Sequence, residues 1–251
     1  CAFGPARARR PSWTGRRPRE GAVRNTKTVA QAQTKTGGPT GSETEIEVAL
    51  ASRGYPIVIG EDLVANAGHR LKALLPGARF AVVSDANVAA LHLAPLKASL
   101  EAEGLFLGSA VVASGEASKS FPVLAKLSET LLELGVERGD CVIAFGGGVV
   151  GDLAGFAGSI LRRGVRVVQM PTTLLAQVDS AIGGKTGIDT EQGKNLIGTF
   201  HQPSLVLSDI SVLSTLSERE FRAGYAEVAK YGLLGDAPFF AWLEDNWQDI
   251  L

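Results

Sequence analysis

Residues 146–152 of this 251-residue chain read Gly-Gly-Gly-Val-Val-Gly-Asp. They satisfy the spacing G-x-G-x-x-G and lie between an apolar run, Cys141–Phe145, and a helical stretch reaching Leu161. Glycines at a strand-to-helix turn let the backbone approach a pyrophosphate, and the helix start offers free N–H groups and a positive dipole end. A tight turn with close strand–helix packing uses glycines too, so the motif leaves that reading open. An ordinary dinucleotide site also needs an acid about 20 residues on, at the end of the next strand, to hold a ribose. That strand, Val165–Met170, contains none. Asp85, at the end of the apolar run Phe80–Ser84, is the candidate, and it is equally placed to cap the following helix.

A second polar segment follows Pro171. Residues 171–198 carry Thr172, Thr173, Asp179, Lys185, Lys194 and Asn195 among five glycines. Lysines on a glycine-rich loop suit a phosphate or a polyhydroxylated anion. Gly183-Gly184-Lys185-Thr186 resembles the end of a P-loop, but the first glycine of that motif falls on Asp179, so a nucleotide triphosphatase fits poorly. Ile182, Ile188, Leu196 and Ile197 are expected to pin the loop to the body. Further on, Glu227 and Lys230 are three apart on an expected helix and share a face. Taken alone this is a surface ion pair. A carboxylate metal ligand beside a substrate-binding lysine is the sharper alternative, but catalytic zinc wants three protein ligands, and His69, His92 and His201 lack H-x-x-x-H spacing.

The elements that position these groups alternate. Ile46, Val48 and Leu50 interleave with polar residues and Tyr55–Ile59 is β-rich, which predicts a hairpin-like start. Strands are expected at Phe80–Ser84, Leu105–Ala113, Cys141–Phe145 and Val165–Met170, with helices over 87–103, from Phe121 to Leu134, and over 148–161. Phe121, Leu124, Leu127, Leu131 and Leu134 recur at spacings of three and four, the mark of an amphipathic helix. Repeated βα units predict an α/β fold, a parallel sheet with helices on both faces and ligands outside the carboxyl ends of the strands. Helices are expected again over Glu218–Lys230 and Pro238–Leu251.

Composition bounds the partners. Residues 1–42 hold seven Arg and two Lys against one Glu, which leaves the rest of the chain net acidic and argues against nucleic acid. That segment lacks an apolar period and is expected to be a disordered basic tail. It reads as upstream sequence, with an organelle transit peptide or a nucleic-acid arm as alternatives. No apolar run approaches the roughly 20 residues that span a bilayer. Cys1 and Cys141 do not suggest a disulfide, so a reducing, cytoplasmic setting is the default, or a plastid if the tail is a transit peptide.

Taken together, Gly147–Asp152, Pro171-Thr172-Thr173, Asp179–Gly187, Lys194-Asn195 and Gly224–Lys230 resemble 3-dehydroquinate synthase, a sugar phosphate cyclase, from about Glu45 to Leu251. The resemblance implies conversion of 3-deoxy-D-arabino-heptulosonate 7-phosphate to 3-dehydroquinate and phosphate in the shikimate route, with NAD and a divalent metal, zinc or cobalt. NAD would oxidise the C5 hydroxyl, phosphate would leave, the ketone would be reduced back, and an aldol step would close the ring. By the same resemblance, NAD would contact Asp85, Asn87, Ser114, Gly115, Glu116, Lys119, Gly147, Gly148, Val149, Val150, Gly151, Asp152, Thr172, Thr173, Lys194 and the Val212-Leu213-Ser214-Thr215 turn. Asp179, Lys185, Asn195 and Lys230 would bind the substrate, Arg163 would reach a neighbouring subunit's substrate in a homodimer, and Glu227 would be a metal ligand.

The expected organisation is a tail over 1–42, a Rossmann-like NAD-binding domain over 43–216 and the start of a helical metal and substrate domain over 217–251. Family members continue with two histidine ligands that this chain does not carry after Leu251, so the 251 residues alone are expected to lack turnover. A related sugar phosphate cyclase, a metal-dependent polyol dehydrogenase and an inactive NAD-binding fragment remain alternatives.

Overall fold

The computed structural model describes residues 32–36, 43–50 and 54–250. Strands β1 (Ala32–Thr36), β2 (Thr44–Val48) and β3 (Tyr55–Gly60) form an antiparallel meander. Helix α1 (Ala67–Leu74) leads to β4 (Phe80–Asp85), α2 (Ala86–Ala102), β5 (Phe106–Val112), α3 (Phe121–Glu133), β6 (Cys141–Gly146), α4 (Gly148–Ile160) and β7 (Arg166–Pro171). A two-stranded sheet, β8 (Lys185–Thr190) with β9 (Gly193–Phe200), precedes β10 (Leu205–Asp209), α5 (Glu218–Gly235) and α6 (Ala237–Ile250). The main sheet runs β1-β2-β3-β10-β7-β6-β4-β5, parallel from β3 onward.

The central strands are apolar runs because both faces are covered. On β4, Phe80 and Val82 point to one face, where Leu71 of α1 and Leu96 and Leu100 of α2 pack with Ile143 and Leu205. Ala81 and Val83 point to the other, against Leu124, Leu127 and Leu131 of α3 and Leu153 of α4. The period of two along the strand thus feeds two separate cores. At the amino end of the sheet, Asp140 accepts the backbone and guanidinium N–H groups of Arg79, at 3.2, 3.2 and 3.0 Å, and the Glu137 N–H at 2.9 Å. Burial pushes the Asp140 carboxyl up, but those four bonds outweigh it and hold its pKa below the ordinary carboxylate value.

Two expectations need correction. Residues 32–36, inside the expected basic tail, pair with β2 as an edge strand, since backbone N–H and C=O groups can extend a sheet without an apolar side-chain period; residues 1–31 lie outside the described residues. Residues 185–200, expected as a loop, form a hairpin packed on α4, where a Cβ on Gly155 would lie 2.5 Å from Thr186 Cγ2. Helices α5 and α6 bury only Gly224, Gly232 and Leu243. No helix among the described residues is long and apolar enough to cross a membrane.

Candidate nucleotide and substrate clefts

The carboxyl ends of β4, β6 and β7 open onto a cleft of about 440 Å³. Its floor is the start of α4, and Gly147, Gly148, Val149 and Val150 line it. Gly147 is the N-cap, with no side chain to occupy the free N–H groups of the first turn. A Cβ on Gly148 would come within 2.9 Å of Ser180 Oγ. Gly151 serves the other purpose foreseen for these glycines: it packs on the Gln169 side chain, which donates to the Gly151 carbonyl at 3.2 Å. The packing reading thus holds at Gly151, while Gly147 and Gly148 line an open cleft.

Thr172 and Thr173 close one wall of this cleft. Thr172 is 3% exposed, and among the described residues its buried Oγ1 has no hydrogen-bond partner. A buried hydroxyl without a partner is costly, so this atom points to a ligand. Asp85 stands opposite. Its Oδ1 accepts from Asn87 N (2.9 Å), Val88 N (3.2 Å) and Ser114 Oγ (2.9 Å), which caps α2 and ties it to the loop after β5. Capping and cleft-lining are compatible, since all three bonds fall on one oxygen. Asn87, Ser114, Gly115 and Thr215 complete the lining foreseen from sequence.

Sequence reasoning missed Val88, Leu91, His92, Leu216 and Glu220. Val88, Leu91 and His92 share a helix face by their three- and four-residue spacing, the one signal available. His92 Nε2 lies 2.8 Å from Thr215 Oγ1, which donates its own proton to the Val212 carbonyl at 2.8 Å. The histidine must therefore be the donor. Burial lowers the His92 pKa, opposed by the charge of Asp209.

Several predicted NAD residues lie outside this cleft. Val212 is buried in the core, and Ser214 turns back to the Ser211 carbonyl at 2.8 Å, so neither that pair nor Leu213 lines it. Gly151 is taken up by packing, as above. Glu116, Lys119, Asp152 and Lys194 belong to a charged cluster next door. Lys119 is 4% exposed and donates to Asp152 Oδ2 at 2.7 Å and to the Asn195 side-chain carbonyl. Burial raises the Asp152 pKa in spite of Lys119. Lys194 is exposed and pairs with Glu116 at 3.2 Å.

This cluster borders a second cleft, of about 500 Å³, lined by Asp152, Asp179, Lys185, Asn195 and the apolar Ile182, Leu196 and Phe200. Three of the predicted substrate residues therefore come together. Glu227 and Lys230 lie on α5 and bond to each other. Their helix packs against the turn that bears Asp179: Tyr231 donates to the Val178 carbonyl at 3.1 Å, and a Cβ on Gly224 would lie 2.6 Å from Leu175 N. Arg163 is exposed in the turn after α4, with a φ of +63°, and lines neither cleft.

The groups at the first cleft fit a dinucleotide: a glycine-lined helix start for a pyrophosphate, an unpaired buried hydroxyl and a carboxylate for a ribose. A metal fits less well. Among the described residues no three His, Cys, Asp or Glu side chains converge on one point.

Comparison with known proteins agrees with this geometry. Residues 109–223 match the family model for the 3-dehydroquinate synthase N-terminal region. Over 204 residues the chain is 61% identical to the 3-dehydroquinate synthase of Ruegeria sp. (strain TM1040), covering 81% of this chain and 55% of that one. Over about four fifths of its length the chain is similar to 3-dehydroquinate synthases. It spans about half the length of the curated relatives it matches. Among solved structures, 2-epi-5-epi-valiolone synthase from Streptomyces hygroscopicus subsp. jinggangensis 5008, with NAD+ and Zn2+ bound, is 36% identical with a TM-score of 0.73, over 80% of this chain and 56% of that one. A 2-deoxy-scyllo-inosose synthase, complexed with carbaglucose-6-phosphate, NAD+ and Co2+, is 26% identical with a TM-score of 0.67, over 74% and 50%. The fold is thus the α/β, Rossmann-like domain of the sugar phosphate cyclases.

Proposed function

We propose that this chain is the nucleotide-binding part of a 3-dehydroquinate synthase, a carbon–oxygen lyase that converts 3-deoxy-D-arabino-heptulosonate 7-phosphate to 3-dehydroquinate and phosphate. The observation that carries the reading is the unpartnered Thr172 hydroxyl beside the glycine start of α4. Bound NAD supplies reversible hydride transfer. In this reading the first-turn N–H groups of α4 hold its pyrophosphate, Thr172 donates to it, and Asp85 accepts from a ribose hydroxyl. Lys185, with Asn195 and Asp179, holds the phosphorylated sugar acid in the second cleft, and Lys230 approaches it from α5. Residues 43–216 serve as the NAD-binding domain, and residues 217–251 open a helical one.

Two finer points belong to the same proposal. Arg163, exposed and outside both clefts, extends to the substrate of a second copy in a homodimer. A divalent metal takes Glu227 as one ligand. With no three-ligand cluster among the described residues, the 251-residue chain binds zinc weakly and does not turn over by itself.

The test is calorimetry on this chain with the seven-carbon sugar-acid phosphate, with and without saturating NAD+. The reading expects measurable binding that tightens with NAD+. No binding at millimolar sugar phosphate with NAD+ present contradicts it. Accumulation of NADH from a polyol favours the dehydrogenase alternative. Stoichiometric tight zinc binding, or phosphate release by this chain alone, overturns the claim of inactivity.

A further inference from the structure

The β8–β9 hairpin is not regular. Ile188 pairs with Ile197 and Thr190 with Gly193, so Asp189 alone faces Lys194, Asn195 and Leu196. Such a bulge bends the strand and re-aims side chains, and it leaves backbone groups without ladder partners. Asn195 sits in it with a φ of +57°, a left-handed conformation that Asn tolerates better than most residues but does not prefer. The stranded Asn195 N–H goes to Asp189 Oδ1 at 2.8 Å. Asp189 is in turn fixed by its own N–H, which donates to the Lys119 carbonyl at 2.8 Å, and by the Lys119 ammonium 3.9 Å from its Oδ1. The consequence of the bulge is visible in its neighbours: Asn195 reaches back to the buried Lys119 ammonium, and Lys194 reaches Glu116.

We infer that Asp189 is a positioning residue for substrate binding: by accepting the Asn195 N–H it holds the bulge that turns Asn195 into the second cleft and onto Lys119. The inference rests on the reading of that cleft as the substrate pocket. Asp189 itself does not line the cleft. It acts through Asn195, and what it supplies is one acceptor oxygen at a fixed place. The consequence is specific: an amide in place of the carboxylate keeps the acceptor, whereas a methyl group removes it.

The experiment uses the whole 251-residue chain as wild type, Asp189→Asn and Asp189→Ala. Three quantities are read: hydrogen exchange of the Asn195 amide, affinity for the seven-carbon sugar-acid phosphate with NAD+ saturating, and affinity for NAD+ alone. For Asp189→Ala the inference expects at least about tenfold faster exchange at Asn195, at least about tenfold weaker sugar-phosphate binding, and NAD+ affinity within about threefold. Asp189→Asn should stay within about threefold of wild type in all three. Unchanged Asn195 exchange in Asp189→Ala overturns the inference, as does an Asn variant as damaged as the Ala variant. Loss of NAD+ binding together with protection along the whole hairpin in Asp189→Ala also overturns it, since the role is then general stability. If wild type binds no sugar phosphate, the functional reading fails by itself, and the exchange pattern alone decides whether Asp189 places Asn195.

Discussion

The nucleotide cleft and the α5 face are built from different materials. The cleft presents backbone N–H groups, glycines and one unpaired hydroxyl, held by strands whose residues are buried on both faces. The α5 face presents Glu227 and Lys230, which satisfy each other, on a pair of helices with Leu233, Leu234, Trp242 and Trp247 exposed. A backbone site has no alternative partners to fall back on and is ready when the sheet is. A side-chain site that neutralises itself acquires a ligand only when something binds Glu227 better than Lys230 does. If the first cleft holds the nucleotide as proposed, its readiness comes with the fold, and readiness on α5 does not.

Substitutions can break or sharpen this contrast. The largest effect is expected from Gly147→Val, which puts a branched side chain at the mouth of the α4 turn, where a Cβ already meets Thr173 Cγ2 at 3.2 Å. NAD+ affinity should fall at least about 100-fold, near 2.7 kcal/mol, in a titration of a variant that keeps its far-ultraviolet dichroism. If NAD+ still binds as in wild type, the cleft is not the nucleotide site.

Asp140→Asn should do the reverse, costing about 2 kcal/mol of stability in urea unfolding at neutral pH while NAD+ affinity stays within about twofold. The pH dependence has a definite sign. The Asp140 pKa is lowered in the folded state, so its stabilisation is complete above the unfolded value of about 3.9 and is lost as pH falls through the folded value. The gap between variant and wild type should be constant near neutrality and close below about pH 4. A gap that widens in acid contradicts the assignment.

A finer separation comes from Thr172→Val. Removing a buried hydroxyl without a partner should raise stability by about 1 kcal/mol without ligand and weaken NAD+ about tenfold. The opposite signs are the point: a purely structural threonine loses stability when changed. The smallest effect is expected from Glu227→Gln, with NAD+ affinity within about twofold and a small shift in melting temperature. A large loss of NAD+ binding there would join the two regions that the account keeps apart.

Much of this was legible in the sequence, for a physical reason. The central strands announce themselves as short apolar runs, and α3 by its leucine spacing, because burial selects those patterns directly. Strand β10 and helix α1 escaped notice: Leu205–Asp209 is brief and ends in Ser208 and Asp209, and α1 carries two basic residues and a histidine in eight positions. The hairpin over 185–200 was hidden by its glycines, of which Gly187 and Gly198 serve close backbone packing rather than a turn; a Cβ on Gly198 would lie 1.9 Å from the Thr186 carbonyl oxygen. At the site, the motif residues came from the chain directly, since backbone approach demands glycine. His92 and Asp189 did not, because a hydrogen bond to Thr215 Oγ1 or to Asn195 N exists only once the chain has folded.

The most direct measurement is the thermal stability of the 251-residue chain against NAD+ concentration, with no metal and no substrate. A nucleotide cleft complete in this chain predicts a rise that follows one-site linkage, about 2.7 kcal/mol at 100 times the dissociation constant and about 1.4 kcal/mol more for each further tenfold. It also predicts that Gly147→Val abolishes the rise. An unchanged melting temperature at millimolar NAD+ contradicts it, because the backbone-built cleft would then lack the ligand that its glycines and its unpaired threonine were read to require.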